Sequence, residues 1–308
     1  MKKVVLSAVA ALAMTAAAPA LAADMPVKAA PAAPAAAPSP WDVLFGTAFT
    51  TDYDLRGVSQ SNHKPAAQGY FELDYTAADW LKLYTGVWGS SLWTGFADAE
   101  FDITGGARLS FGNFGLDLGL IYYYYPGGNN AAAGLFTGDW VEGYVKPSYK
   151  FTDWLTIGGV FESAFNNFND KVCAPYVGCG NSGGYSTANA ATWLGSAGHY
   201  YISGNAVITL PWHPVPDVTL SINPEIGYEW YSSGVTENLG LVSDTYWDVG
   251  LDINYKAITL DLRYWGTDAK PNVAAPNQCG PTTTGSSNLC GDRFVATLKF
   301  DTSLSALK

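Results

Sequence analysis

The residues of this chain that could do chemistry fall into three sets. His199, Ser203 and Asn205, with Gly204 between, offer a base, a hydroxyl nucleophile and an amide, the parts of an acyl-transfer site. A larger set is ionisable. Its acids are Asp52, Asp54, Glu72, Asp74, Glu100, Asp102, Asp117, Glu142, Glu162, Glu225, Glu229, Asp248, Asp252 and Asp261. Its bases are Arg56, Lys82, Arg108, Lys146, Lys150, Arg263, Arg293 and Lys299. Carboxylates in such excess over cations, turned toward water inside a pore, attract cations. The third set is Cys173, Cys179, Cys279 and Cys290. Their spacings do not resemble C-x2-C and no histidine lies close by, so disulfides are expected rather than a metal site. His63 and His213 stand alone. No metal or cofactor pattern is present.

The elements that position these residues are read from the alternation of polarity. From Phe45 onward the chain divides into twelve windows: 45–56, 70–76, 81–89, 99–111, 114–124, 140–151, 155–163, 199–210, 218–230, 246–255, 257–265 and 293–300. In the ninth, Val218, Leu220, Ile222, Ile226, Tyr228 and Trp230 share one face and Thr219, Ser221, Asn223, Glu225 and Glu229 the other. The i, i+3, i+4 recurrence of a helix is missing, so the windows read as strands. The 22 charges named above all lie in these windows, and within each window they share one parity. Random placement would do this about one time in two thousand. The reason is cost, since Lys or Arg on a lipid face at mid-bilayer costs about 2–4 kcal/mol.

The connections alternate in length. Ala77–Trp80, Gly112-Asn113, Thr152–Trp154, Pro211–Asp217 and Tyr255–Ala257 are short. Gly57–Gly69, Ser90–Asp98, Pro126–Asp139, Asn166–Gly198, Tyr231–Thr245 and Gly266–Asp292 are long. Short turns at one end and long loops at the other predict an all-β, transmembrane antiparallel β-barrel of twelve strands, with both termini on the periplasmic side. Both cysteine pairs then fall in external loops. Aromatic residues gather at the window ends. Tyr122–Tyr125, Trp230-Tyr231, Tyr246-Trp247 and Tyr264-Trp265 are placed at the outer rim, and Trp80, Phe111, Phe114, Phe151 and Trp154 at the inner one. Pro147 and Pro224 fall inside windows and imply bulges or shifted boundaries. A soluble β-sandwich would also alternate, but it has no need of unequal loops.

Composition agrees with a barrel. Of 308 residues only 14% are charged and 14% are aromatic, too few charges to cover a soluble protein of this size and too many aromatics for disorder. A formal charge of −11 argues against a nucleic-acid partner. Lys2-Lys3, the apolar run Val4–Ala13 and Ala20-Leu21-Ala22 form a secretory signal peptide, residues 1–22, whose removal takes the charge to −13. Residues 23–43 form an Ala/Pro-rich periplasmic leader, 44–300 the barrel and 301–308 a C-terminal tail. Export permits the disulfides.

The stretch Thr50–Tyr75, TTDYDLRGVSQSNHKPAAQGYFELDY, resembles the opening of the TorF-type family of porins, in which D-Y-x-x-R-G-[IV]-S-Q is followed by P-A-x-Q-G. The matching residues are Asp52, Tyr53, Arg56, Gly57, Val58, Ser59, Gln60, Pro65, Ala66, Gln68 and Gly69. Tyr84–Trp88 and Gly119–Gly127 also look like family segments, so the similarity is clearest over Phe45–Pro126. The resemblance implies an outer-membrane barrel with pore activity and supplies no catalytic residues. The His199, Ser203 and Asn205 set is similar in residue types to that of the outer-membrane phospholipase A family, but this chain lacks that family's H-x-S-N-G motif. Alternation also turns His199, Ser203 and Asn205 inward, away from acyl chains. The expectation is therefore a non-enzymatic channel in the outer membrane of a Gram-negative bacterium. It contacts lipid, passes small hydrophilic solutes and mildly prefers cations. Two alternatives stand beside it: a plugged structural or surface-interaction barrel, and a barrel hydrolase acting through His199 and Ser203.

Overall fold

A computed structural model describes residues 39–93, 97–126, 140–164, 199–212, 215–231, 242–271, 278–279 and 288–307. Twelve long strands form the wall: β1 (Trp41–Thr50), β4 (Ala66–Ala78), β5 (Leu81–Ser91), β6 (Ala99–Phe111), β7 (Phe114–Tyr124), β8 (Trp140–Lys150), β9 (Leu155–Ala164), β10 (His199–Thr209), β11 (Val218–Tyr231), β12 (Asp244–Tyr255), β13 (Ile258–Thr267) and β14 (Arg293–Ser303). Two short strands, β2 (Asp54–Leu55) and β3 (Val58–Ser59), form a separate two-stranded sheet. The wall is a closed antiparallel barrel in which each long strand pairs with its chain neighbours, and β1 closes on β14 from Leu44↔Ser303 to Thr50↔Thr297. Closure leaves no strand edge, the condition under which a sheet can sit in hydrocarbon with every backbone group paired.

Register carries the alternation around the wall. Asp117 stands opposite Lys146 on β8 and Arg108 on β6, while Leu118 stands opposite Val145 and Ala107. Charged residues thus fall on one face of the cylinder from strand to strand. The other face is an apolar belt that includes Phe49, Phe71, Ile103, Leu120, Ile157, Ile202, Ile226, Phe294 and Leu298, all exposed. Trp80, Phe111, Phe114, Phe151 and Trp154 are exposed at the short-turn end, where Trp80 and Phe111 stack at 5.9 Å, as an interfacial belt requires.

Three expectations change. Strand β1 ends at Thr50, so residues 51–56 are not wall. Neither proline makes a bulge. The β8–β9 ladder skips from Val145↔Phe161 to Ser148↔Gly158 around Pro147, and the β10–β11 ladder from Asn205↔Glu225 to Ile208↔Ile222 around Pro224, each keeping its register. A missing N–H costs those ladders local bonds without shifting the strand. The register shift that does occur lies between Thr76 and Ala78, at the end of β4. Finally, the outer aromatic pairs are split by the pleat. Trp247 and Tyr264 face outward, whereas Tyr123 and Tyr246 are buried inside.

The apolar outer belt makes a direct prediction. Leu120→Arg, near the middle of β7, lowers the stability of vesicle-refolded protein in urea by about 2–4 kcal/mol. Thr104→Ser, on the opposite face of the adjacent strand, changes it by less than about 0.5 kcal/mol. A Leu120→Arg variant as stable as wild type would mean that this face does not meet lipid.

Candidate functional site

The chain does not cross the top of the barrel after β1. It turns inward, and residues 54–59 form a β2–β3 hairpin whose turn is buried within the wall. The hairpin turn has two residues, Arg56 (φ 53°) and Gly57 (φ 83°), the left-handed pair that a two-residue antiparallel turn requires. Asp54 Oδ1 fixes it by accepting from Gly57 N at 2.8 Å. Gly57 has a second reason to be glycine, because a Cβ there would lie 2.8 Å from Thr267 Cβ and 2.9 Å from Tyr246 Cβ. The tip is pressed against β12 and β13.

The turn projects the Arg56 guanidinium into a ring of three carboxylates on β8, β9 and β11. Nη1 donates to Glu229 Oε1 at 2.7 Å, and Nη2 donates to Glu142 Oε2 at 3.3 Å and, closer, to Glu162 Oε2. The guanidinium stacks 4.1 Å from the Tyr201 ring centroid. His199 completes the ring: Nε2 is 2.5 Å from Glu229 Oε1, and Nδ1 is 2.9 Å from Glu142 Oε1. Tyr123 donates its hydroxyl to Glu142 Oε2 at 3.0 Å. Every one of these groups is buried. Three carboxylates at this depth demand cationic partners, and the hairpin supplies one.

The hairpin is also fastened to the chain just before β14. Val58 bridges to Cys290, Ser59 N donates to Leu289 O at 2.8 Å, and Arg293 donates to Asp54 Oδ2 at 2.5 Å and to Leu289 O at 2.6 Å. Asp52 Oδ1 accepts from Ser59 Oγ and Ser61 Oγ, while Oδ2 lies 3.0 Å from His63 Nδ1, whose Nε2 reaches Asn288 O. Cys279 and Cys290 form a disulfide packed with Val58, Ala269 and Leu289. On the other flank Tyr53 donates to Glu100 Oε1 at 3.1 Å and packs with Ala66, Leu92 and Ala97.

Below the hairpin the wall charges pair with one another. Arg108 takes Glu72 in a fork of 2.6 and 2.8 Å and reaches Asp117 at 3.3 Å, while Lys82 meets Asp74 at 2.9 Å. Across the lumen Arg263 holds Asp248 and lies 3.4 Å from Asp261, which also meets Lys299 at 2.9 Å. Lys146 pairs with Glu162 at 3.2 Å. A cavity of about 310 Å³ lies against the hairpin, lined by Asp52, Asp54, Trp88, Glu225, Asp248, Asp261, Arg263, Trp265 and Lys299 among others.

Most of the residues picked out by alternation are therefore brought together inside. Asp52, Asp54 and Arg56 are the correction: they lie in the lumen, but on the hairpin and not on the wall, because Thr50 Oγ1 caps Asp52 O at 2.6 Å where the strand ends. Lys150 pairs with Asp153 in the β8–β9 turn at 2.8 Å, at the rim. Glu100 and Asp102 lie side by side on β6, and Asp252 faces Asp261 across a strand pair. His199 and Ser203 sit on one face of β10, but four residues of strand put their backbones roughly 13 Å apart, and His199 faces carboxylates. Cys173, Cys179 and His213 lie outside the described residues. Alternation within the windows does not single out Asp244, which lies outside them and accepts from Gln278 Nε2 at 3.0 Å, or the inward tyrosines Tyr84, Tyr144 and Tyr246. The tyrosines' parity within the windows was the available signal.

Removing the central cation gives the site's prediction. Arg56→Ala leaves Glu142, Glu162 and Glu229 without it and lowers stability in urea by about 3–5 kcal/mol. Arg56→Lys recovers only part, since one ammonium cannot fork to carboxylates on three strands. A loss below about 1 kcal/mol for Arg56→Ala would mean that the ring is hydrated.

Comparison with known proteins adds a family. No curated protein matches the sequence. Among solved structures, the chain is similar to the KdgM porin at 10% identity and TM-score 0.42, covering 84% of this chain and 98% of that one. It is similar to the NanC porin at 13% identity and TM-score 0.44, with the same coverage. Pseudomonas aeruginosa OccK10 (OpdN) matches at 14% identity and TM-score 0.36 over 77% of this chain and 60% of that one. The model of a family described as "Bacterial protein of unknown function (Gcw_chp)" matches residues 34–298, most of the chain and all but the last residues of the wall, and the chain belongs to that family.

Proposed function

We propose that this protein is a porin-like channel of a Gram-negative outer membrane, delivered there by residues 1–22, and that it passes small hydrophilic solutes with a mild preference for cations. The observation that carries this reading is a closed wall whose charges face a shared interior while its exterior is apolar. Such an interior is hydrated, and where carboxylates outnumber cations it favours positive solutes. The TorF-type resemblance of Thr50–Tyr75 belongs to the same proposal, since those residues include the hairpin that narrows the lumen.

That hairpin also favours a second reading, a barrel plugged at rest. It fills the outer lumen and is held there by ion pairs to Glu142, Glu162, Glu229 and Arg293.

Planar-bilayer recording of refolded protein separates the two. The proposal expects a small wild-type conductance with a cation-favouring reversal potential, rising severalfold when residues 54–59 are replaced by a short Gly-Ser link. Conductance only in the shortened variant supports the plugged reading. No conductance in either, or a reversal potential favouring anions, overturns the channel as proposed.

A further inference from the structure

The cavity beneath the hairpin is charged unevenly. Asp54 is answered by Arg293 and Asp52 faces His63, while Asp248 and Asp261 hold Arg263 and Lys299. Glu225 is different. Among the described residues no Lys, Arg or His makes an ion pair with it, and it is held by two tyrosine hydroxyls, Tyr201 at 2.7 Å and, closer, Tyr246. Both donate to Oε1, so Oε2 accepts nothing from a described residue. A second acceptor waits in the same lining: Asp261 is 5% exposed, its Oδ2 accepts from Lys299, and its Oδ1 has no hydrogen-bond partner. The indoles of Trp88 and Trp265, on strands separated by three others around the wall, line the same space. A volume of about 310 Å³ admits one compact solute.

From these features we infer that the cavity is a binding chamber for a small organic cation, an amine carrying N–H donors, with Glu225 as its charge partner. An ammonium at Glu225 Oε2 neutralises the one lining carboxylate left without a cation, and a charge-assisted hydrogen bond is the strongest the site can offer. Asp261 Oδ1 accepts a further N–H, and an indole face favours a cation over a neutral or anionic group. The tyrosine pair positions Glu225 by occupying Oε1, which leaves Oε2 for the ammonium. This inference rests on the hydrated interior of the channel reading and adds the class of solute it holds.

Calorimetric titration of the refolded, full mature chain in detergent tests it without requiring conductance. The probe is putrescine, with glucose and glutarate as neutral and anionic counterparts. Saturable putrescine binding is expected, weakened about tenfold or more by Glu225→Gln and less by Asp261→Asn. Asp301→Asn, outside the chamber, should leave it unchanged. Heat-modifiable migration in gels shows that each variant is folded. Putrescine binding no tighter than glucose, or unaffected by Glu225→Gln in folded protein, overturns the inference, as does preferential binding of glutarate. A conducting protein that fails this test loses the chamber and keeps the channel. A silent protein that passes it keeps the chamber and loses the channel.

Discussion

The structure depends on one guanidinium. Arg56 is the point at which three buried carboxylates from three wall strands meet a cation, and the cation is carried by a loop that could otherwise have lain outside. A buried ion pair contributes little net stability against an apolar alternative, yet removing one partner is expensive. Wall and hairpin are therefore bound to each other by the cost of separation. Withdrawing the hairpin would leave Glu142, Glu162 and Glu229 with His199 and Lys146 as their only basic partners among the described residues. The Asp54–Arg293 pair and the backbone contacts of Val58 and Ser59 to the disulfide segment hold the same hairpin from its base. The lumen is thus narrowed by a packed, ion-paired element, and the cavity beneath it holds a buried acceptor without a hydrogen-bond partner, Asp261 Oδ1.

The wall follows a simpler rule. A strand in a closed barrel presents alternate residues to hydrocarbon and to the interior, and hydrocarbon tolerates almost no charge. That penalty is large enough to be written into the order of residues, which is why the closed fold, its twelve strands, the short turns and the inward face of Glu72, Arg108, Glu142, Glu162, Glu229 and Arg263 could be read directly. The same rule turned His199 and Ser203 inward.

What lay beyond the sequence were the features that alternation does not encode. Asp52, Asp54 and Arg56 continue the parity of β1, so they read as three more wall residues. The chain leaves the wall at Thr50, yet its alternation continues because the hairpin too is extended and buries polar groups. The Asp54–Gly57 spacing was the local clue, since an aspartate three residues before a glycine can cap a tight turn, but Arg-Gly is a weaker turn signal than Asn-Gly. Which acid meets which base depends on stagger around the cylinder, and stagger leaves no mark on any single strand. Tyr246 shows the same limit in another way. It was assigned to an interfacial belt by its position, and the pleat sends it inside while its neighbour Trp247 faces out.

The most direct test of the central claim is a double-mutant cycle between Arg56 and Glu229, using Arg56→Ala, Glu229→Gln and the pair in urea unfolding of the refolded barrel. If the guanidinium is held by that ring, the two changes couple by about 1–3 kcal/mol, the double variant being less damaged than the sum of the singles. Additivity within about 0.5 kcal/mol would show that the two side chains do not meet, and that the hairpin does not lie inside the barrel.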